Sequence, residues 1–165
     1  MRRWVGKWAL CLLPAKVVLS GLIFCVKRKM TNKILSILCI DDDESILEIV
    51  KLCLDFTSNA VVEICLGGQT GLERIKTIRP DIILLDVMMP DMHGEQVLLD
   101  VRQNPDFDET AIIFMTARAQ QEEIERYISL GVAGVITKPF EPMSLYREIT
   151  LLRESWNDRQ RAVHI

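Results

Sequence analysis

The sequence has few of the residues that build disulfide frameworks or sites for soft metals. Its 165 residues include only two histidines and five cysteines. The cysteines are odd in number, lie among apolar residues and follow no metal-binding spacing: Cys11, Cys25, Cys39, Cys53 and Cys65. A reducing cytosol suits such thiols, and we expect the last three to be small core side chains.

The chain also has no internal repeat, no low-complexity tract and no acidic residue in its first thirty positions. Charged residues make up 26% and hydrophobic residues 49% of the composition, as in globular proteins. The whole chain carries −3 and residues 1–30 carry +7, so residues 31–165 carry −10. An acidic body disfavours nucleic acid as a direct partner.

Residues 8–26 form a largely apolar stretch that is long enough to span a bilayer, although it contains Pro14 and Lys16. Three interpretations remain open: a misplaced start with the true protein beginning at Met30, a membrane anchor with a cytoplasmic body, and secretion. Secretion is the least favoured, because the chemistry argued below needs cytoplasmic partners, and no convincing small-x-small cleavage site is present. We therefore divide the chain into an N-terminal extension (1–30), one domain (31–157) and a short tail (158–165).

From Met30 onward, buried strands alternate with amphipathic helices. Strands are predicted at 34–40, 61–66, 82–85, 111–115 and 132–137, and helices at 45–56, 69–78, 95–103, 119–130 and 142–156. Asp43 is a plausible N-cap of the first helix, and Gly131 should end the fourth. This alternation predicts an α/β fold with a doubly wound, five-stranded parallel sheet covered on both faces.

Polar residues follow the apolar runs at the carboxyl ends of the predicted strands, where open α/β sheets place their ligands. Clustered acids repel one another unless a cation neutralises them. Mg²⁺ prefers oxygen ligands, and no His or Cys lies near enough to favour a softer metal. The side chains that should meet at this edge are Asp41, Asp42, Asp43, Asp86, Thr116 and Lys138.

Carboxylates, a hard dication, a hydroxyl and an ammonium together suit the handling of a phosphoryl group. Asp86 would be the nucleophile, since carboxylates form acyl phosphates. Pro90 and Gly94 then shape a loop that restarts the chain as a helix.

These segments resemble the receiver domain of bacterial response regulators, from about Lys33 to about Ser155. The resemblance implies the flavodoxin-like, CheY-like fold, with strand order 2-1-3-4-5. It lies in four motifs: Ile40-Asp41-Asp42-Asp43, Leu85-Asp86-Val87-Met88-Met89-Pro90 with Gly94, Met115-Thr116-Ala117, and Lys138-Pro139-Phe140.

The resemblance implies that Asp86 accepts a phosphoryl group from a sensor histidine kinase or a histidine phosphotransfer protein in a phosphorelay. Asp42 and Asp86 would be side-chain ligands of Mg²⁺, or of Mn²⁺. Asp41 would orient a metal-bound water, and Met88 would offer its backbone carbonyl.

The same resemblance implies that Thr116 is a switch hydroxyl and that Lys138 pairs with the phosphoryl group, before a proline usually joined by a cis bond. One departure is Val135, which stands on strand five where the family usually has an aromatic residue or His, so the usual inward swing of a ring cannot occur. Met88 and Arg118 occupy positions that tune dephosphorylation in the family.

We expect a cytoplasmic, stand-alone response regulator that signals through an unknown output protein, with a membrane contact only if residues 8–26 insert. It would not be an enzyme beyond autophosphorylation from small donors and autodephosphorylation. One alternative is a receiver-like interaction module without phosphorylation, which the acidic set and Lys138 argue against and Val135 leaves open. Another is an aspartyl-phosphate phosphatase, which needs an acid where Met88 stands.

Overall fold

The computed structural model describes residues 34–117 and 120–163. Five parallel strands form one sheet in the order β2-β1-β3-β4-β5, as predicted. The strands are β1 (Ser36–Asp41), β2 (Val61–Leu66), β3 (Ile82–Asp86), β4 (Ala111–Thr116) and β5 (Gly134–Thr137). The helices are α1 (Glu44–Thr57), α2 (Gly68–Ile78), α3 (Gly94–Arg102), α4 (Gln121–Ser129) and α5 (Leu145–Val163), with a 3-10 helix at Pro105–Phe107.

The sheet separates two hydrophobic cores, because successive side chains of a strand point to opposite faces. On β1, Leu38 and Ile40 pack in the core beneath α2, α3 and α4. Ile37 and Cys39 pack in the other core, beneath α1 and α5. The central strands β1, β3 and β4 are thus buried on both faces, which explains their unbroken apolar runs.

The three described cysteines are free thiols, with Cys39 and Cys65 buried and Cys53 partly buried. Burial raises the pKa of all three thiols. The prediction that they are core side chains is therefore confirmed for the two buried residues.

Two predicted helix ends are also confirmed. The Asp43 carboxylate accepts the backbone N–H groups of Ser45 and Ile46 at the start of α1. Gly131 follows α4 with φ +94, a backbone conformation that favours glycine. Helix α2 ends at Ile78, and the left-handed residue Arg79 follows it, before Pro80.

The last helix differs most from the prediction. Helix α5 begins at Leu145, after a turn at 142–144, and continues to Val163, so most of the predicted tail is helical. No Gly or Pro interrupts these residues, and the Arg159 guanidinium donates to the Ala133 carbonyl (2.8 Å) and to Ser155 Oγ (3.1 Å). Trp156 is buried and packs with α1 and the sheet.

Within residues 34–117 and 120–163, no helix combines the length and the apolar character needed to cross a membrane. The apolar stretch 8–26, the alternative start at Met30 and Arg118 lie outside the described residues.

Candidate functional site

The carboxyl edge of the sheet collects the predicted polar residues. Asp41, Asp86 and Thr116 are the last residues of β1, β3 and β4, and Lys138 directly follows β5. Because the strands are parallel and adjacent, their carboxyl ends meet at one edge. The sheet topology thus brings together residues that are up to 97 positions apart in the sequence.

Three carboxylates form a cluster at this edge. Each of Asp41, Asp42 and Asp86 offers an oxygen, and these oxygens all lie within 4.8 Å of one another. Asp41 and Asp86 are 1% and 6% exposed, whereas Asp42 faces solvent. An all-oxygen donor set that is open to water on one side fits Mg²⁺ or Mn²⁺ and offers nothing to a soft metal.

Lys138 lies between the two buried acids. Its Nζ is 2.5 Å from Asp41 Oδ2 and 2.5 Å from Asp86 Oδ1. Its backbone N–H donates to the Thr116 carbonyl (2.8 Å), and the Lys138–Pro139 peptide bond is cis, as the sequence motif predicts. The ammonium therefore neutralises part of the charge that burial makes costly.

The pKa values reflect this balance of burial and pairing. Burial raises the pKa of Asp41, although Lys138 and the Asp43 N–H (3.1 Å) partly offset the effect. Burial alone would lower the pKa of Lys138, but its contacts with Asp41 and Asp86 outweigh burial and raise it. Lys138 is therefore charged at neutral pH, and it keeps that charge because two carboxylates surround it.

The loop after β3 is fixed at both ends. Met88 donates its N–H to Asp86 Oδ2 (2.6 Å), and Gly94 donates its N–H to the Val87 carbonyl (3.0 Å). A Cβ on residue 94 would lie 2.3 Å from the Asp86 carbonyl oxygen, so only glycine fits there. Met88 is 68% exposed, and its backbone N–H reaches the acidic cluster through the hydrogen bond to Asp86.

Thr116 lies on β4, next to β3, and Val135 lies on β5, the edge strand beyond β4. Thr116 is buried, and its Cα partner across the β4–β5 ladder is Thr137. Val135 is half-buried and packs against the core beneath α2, α3 and α4. Position 135 is therefore occupied by a core aliphatic side chain, which supplies no ring for the switch described for this family.

One contact near the site was missed by sequence reasoning. The Asp91 carboxylate lies at the start of α2, where Oδ2 accepts the Gln69 N–H (3.1 Å). The only sequence signals were the Gly67-Gly68 pair and an acid in the loop after Pro90, and no spacing rule connects residues 22 positions apart.

Comparison with known proteins agrees with this geometry. The model of the response regulator receiver domain family matches residues 37–150. The transcriptional regulatory protein DltR of Streptococcus agalactiae is 37% identical over 115 residues, which cover 70% of this chain and 50% of DltR. The chain thus spans about half the length of such curated relatives.

Solved structures give the same result. The chemotaxis response regulator CheY4 of Vibrio cholerae has a TM-score of 0.68 and 28% identity, covering 73% of this chain and 99% of CheY4. A BeF3-activated DrrB receiver domain has a TM-score of 0.64 and 26% identity, covering 74% of this chain and 99% of DrrB. The sheet order, the acidic cluster with its lysine and these matches agree, and the chain belongs to the response regulator receiver domain family of two-component systems.

Proposed function

We propose that Asp86 accepts a phosphoryl group from the phosphohistidine of a sensor histidine kinase or histidine phosphotransfer protein. The observation that carries the proposal is the position of its carboxylate. It lies in the acidic cluster with Asp41 and Asp42, and 2.5 Å from Lys138 Nζ. Asp86 is also 6% exposed at a strand end, so it is reachable from the edge where a donor would dock.

The reaction needs little beyond positioning and charge balance. A carboxylate oxygen of Asp86 forms the new O–P bond, the donor's N–P bond breaks, and the imidazole nitrogen keeps that electron pair. Lys138 offsets negative charge on the transferred group, and Thr116 offers a hydroxyl donor at the end of β4.

A hard dication is the cofactor that these residues support. Asp42 and Asp86 would bind Mg²⁺ or Mn²⁺ by their side chains and Met88 by its carbonyl, with Asp41 orienting a bound water. When bound, the metal supplies positive charge that neutralises the phosphoryl oxygens.

Phosphorylation would replace the one negative charge of the Asp86 carboxylate by about two, at an edge that is already acidic, and so favour a changed surface. Because Val135 replaces the switching ring, the change would pass through Thr116 and the segment after β4. We propose that a protein partner in the cytoplasm reads this change. The acidic body supports a protein rather than a nucleic acid. The stand-alone arrangement remains a prediction, since the matched relatives are longer.

The test is phosphorylation of the full chain by acetyl phosphate and by a panel of the host's histidine kinases. The wild type should form a phosphoryl adduct that is labile to acid and to base, as an acyl phosphate is, only with Mg²⁺ or Mn²⁺, and Asp86→Asn should form none. Asp108→Asn is the matched control, because Asp108 is exposed before β4, at the opposite edge.

Failure of the wild type to accept a phosphoryl group from any donor would favour the unphosphorylated interaction module instead. An unchanged adduct in Asp86→Asn would place the acceptor elsewhere. A kinase that labels the wild type fastest identifies the cognate donor.

A further inference from the structure

The loop between β3 and α3, residues 87–93, is tied to the start of α2 by one side chain. Asp91 Oδ2 accepts the Gln69 N–H (3.1 Å), and the carboxylate also interacts with the Gly68 N–H. The residue at the N-cap of α2 is Gly67, which has no side chain to cap the helix. The Asp91 side chain, from a different part of the chain, therefore caps the N-terminus of α2.

Two glycines make this close approach feasible. Gly67 has φ +83, and a Cβ there would lie 2.8 Å from Asp91 Oδ2. A Cβ on Gly68 would lie 3.0 Å from Met92 Cβ and 3.1 Å from Met89 Cε. Larger residues at either position would push the loop away from α2.

The turn that contains Gly67, between β2 and α2, is also bonded to the end of β1, where Asp41 lies. The Gly67 N–H donates to the Asp41 carbonyl (2.9 Å). The turn between β2 and α2 thus contacts the backbone of Asp41 on one side and Asp91 on the other. The Asp91 loop carries Met88, whose N–H donates to Asp86 Oδ2. One turn therefore sets the spacing between the segments that carry Asp41 and Met88.

We propose that Asp91 is a positioning residue for the phosphoryl-accepting site. Its hydrogen bonds go to backbone N–H groups at the start of α2 and in its own loop, and it acts by holding the Met88 backbone in place relative to Asp41 and Asp86. The inference rests on the proposed function, because it assigns Asp91 to the metal and phosphoryl chemistry of that same site. The binding partner affected is a hard divalent cation.

The test compares the full-length wild type with Asp91→Ala and Asp91→Asn. We expect Asp91→Ala to raise the dissociation constant for Mg²⁺, measured calorimetrically, by about 3- to 10-fold, somewhat less than loss of a group bonded directly to a metal ligand. Phosphorylation by acetyl phosphate should need a correspondingly higher Mg²⁺ concentration. Asp91→Asn keeps an acceptor oxygen and should restore most of the affinity.

Asn104→Ala is the matched control for a lost cap. Asn104 Oδ1 accepts the Asp106 N–H (3.0 Å) at the 3-10 helix before β4, at the opposite edge of the sheet. The Asn104→Ala variant should lower the melting temperature about as much as Asp91→Ala does and leave the Mg²⁺ dissociation constant unchanged. Hydrogen exchange without metal should accelerate at Met88 and Gln69 in Asp91→Ala and remain unchanged there in Asn104→Ala.

Each outcome decides the inference. Unchanged Mg²⁺ affinity and unchanged exchange in a folded Asp91→Ala would overturn it, even if the wild type is phosphorylated on Asp86. Equal weakening by Asp91→Asn and Asp91→Ala would also overturn it, since charge rather than hydrogen bonding would then be responsible. A wild type that binds Mg²⁺ but accepts no phosphoryl group would refute the proposed function, while the metal and exchange data would still test Asp91.

Discussion

The two edges of the sheet differ in how far other groups of the protein neutralise their charged side chains. At the amino edge, the Arg102 guanidinium donates to the carbonyls of Phe107 (2.6 Å) and Thr110 (3.0 Å) and lies 5.5 Å from the ring of Trp156. Asp81 there accepts the Ser36 N–H (3.1 Å) and lies 3.8 Å from Arg153. The charges of Arg102 and Asp81 are thus met by fixed groups of the protein itself.

At the carboxyl edge, the described residues place three carboxylates in one cluster, and a single ammonium, that of Lys138, pairs with two of them, Asp41 and Asp86. This edge is therefore left with negative charge that the fold does not neutralise. The comparison teaches that fixed groups hold Arg102 and Asp81 at the amino edge, whereas the carboxyl edge keeps the unbalanced negative charge that the proposed binding of a cation and a phosphoryl group would require.

Replacing Lys138 by Met should have the largest effect. Two nearly buried carboxylates would lose their shared cation, which costs about 3 kcal/mol or more of unfolding free energy without metal. Mg²⁺ should recover part of this loss, because it supplies positive charge to the same oxygens. Urea unfolding with and without Mg²⁺ measures both values, and an equally stable variant without metal would contradict the charge balance described for this edge.

Replacing Arg102 by Met should produce the next largest effect, at the opposite edge. The variant loses hydrogen bonds to three carbonyls, the weakest of them to Gly131 (3.5 Å), and a cation–π contact, for an expected cost of about 2 kcal/mol. Its phosphorylation by acetyl phosphate should match that of the wild type once both are folded. A variant with normal stability but a slower reaction would remove the distinction between the two edges.

Replacing Asp42 by Asn should separate metal binding from stability. Asp42 is exposed, so unfolding free energy without metal should change by less than about 0.5 kcal/mol. The Mg²⁺ dissociation constant should rise by roughly tenfold or more, because a charged ligand becomes neutral. Calorimetric titration measures this, and unchanged affinity would remove Asp42 from the metal site.

The pH dependence of Asp91 should be the smallest effect. Desolvation opposes ionisation of Asp91, but backbone N–H groups outweigh it and lower its pKa below the ordinary value of 3.8. Its contribution to stability is therefore present above about pH 3.8 and is lost as the pH falls through the lower folded-state pKa. The stability difference between wild type and Asp91→Asn should shrink over that range. A difference that grew on acidification would show the opposite sign of shift.

Local rules predicted most of the fold. The aliphatic runs marked the strands, Asp43 marked the start of α1 and Gly131 followed the end of α4. The predicted fifth strand began at residue 132, whereas β5 begins at Gly134. The difference arises because the Val132 N–H still bonds back to the Tyr127 carbonyl of α4 (3.4 Å).

Features that depend on distant contacts were not predicted. The extension of α5 includes the bond from Arg159 to Ala133, and the tie between Asp91 and α2 joins residues 22 positions apart. Asp41, Asp86, Thr116 and Lys138 could be placed at one edge because strand ends in a parallel sheet meet there. The sequence did not reveal that Lys138 bridges Asp41 and Asp86, since that depends on side-chain packing.

The most direct test is chemical identification of the residue that carries the phosphoryl group. Wild-type protein is treated with acetyl phosphate and Mg²⁺ and reduced with borohydride, which converts an aspartyl phosphate to homoserine, and its peptides are then sequenced by mass spectrometry. We predict homoserine at position 86 in place of Asp86, and none when Mg²⁺ is omitted. Homoserine at any other position, or its absence at 86 in protein that carries phosphate, would contradict the account.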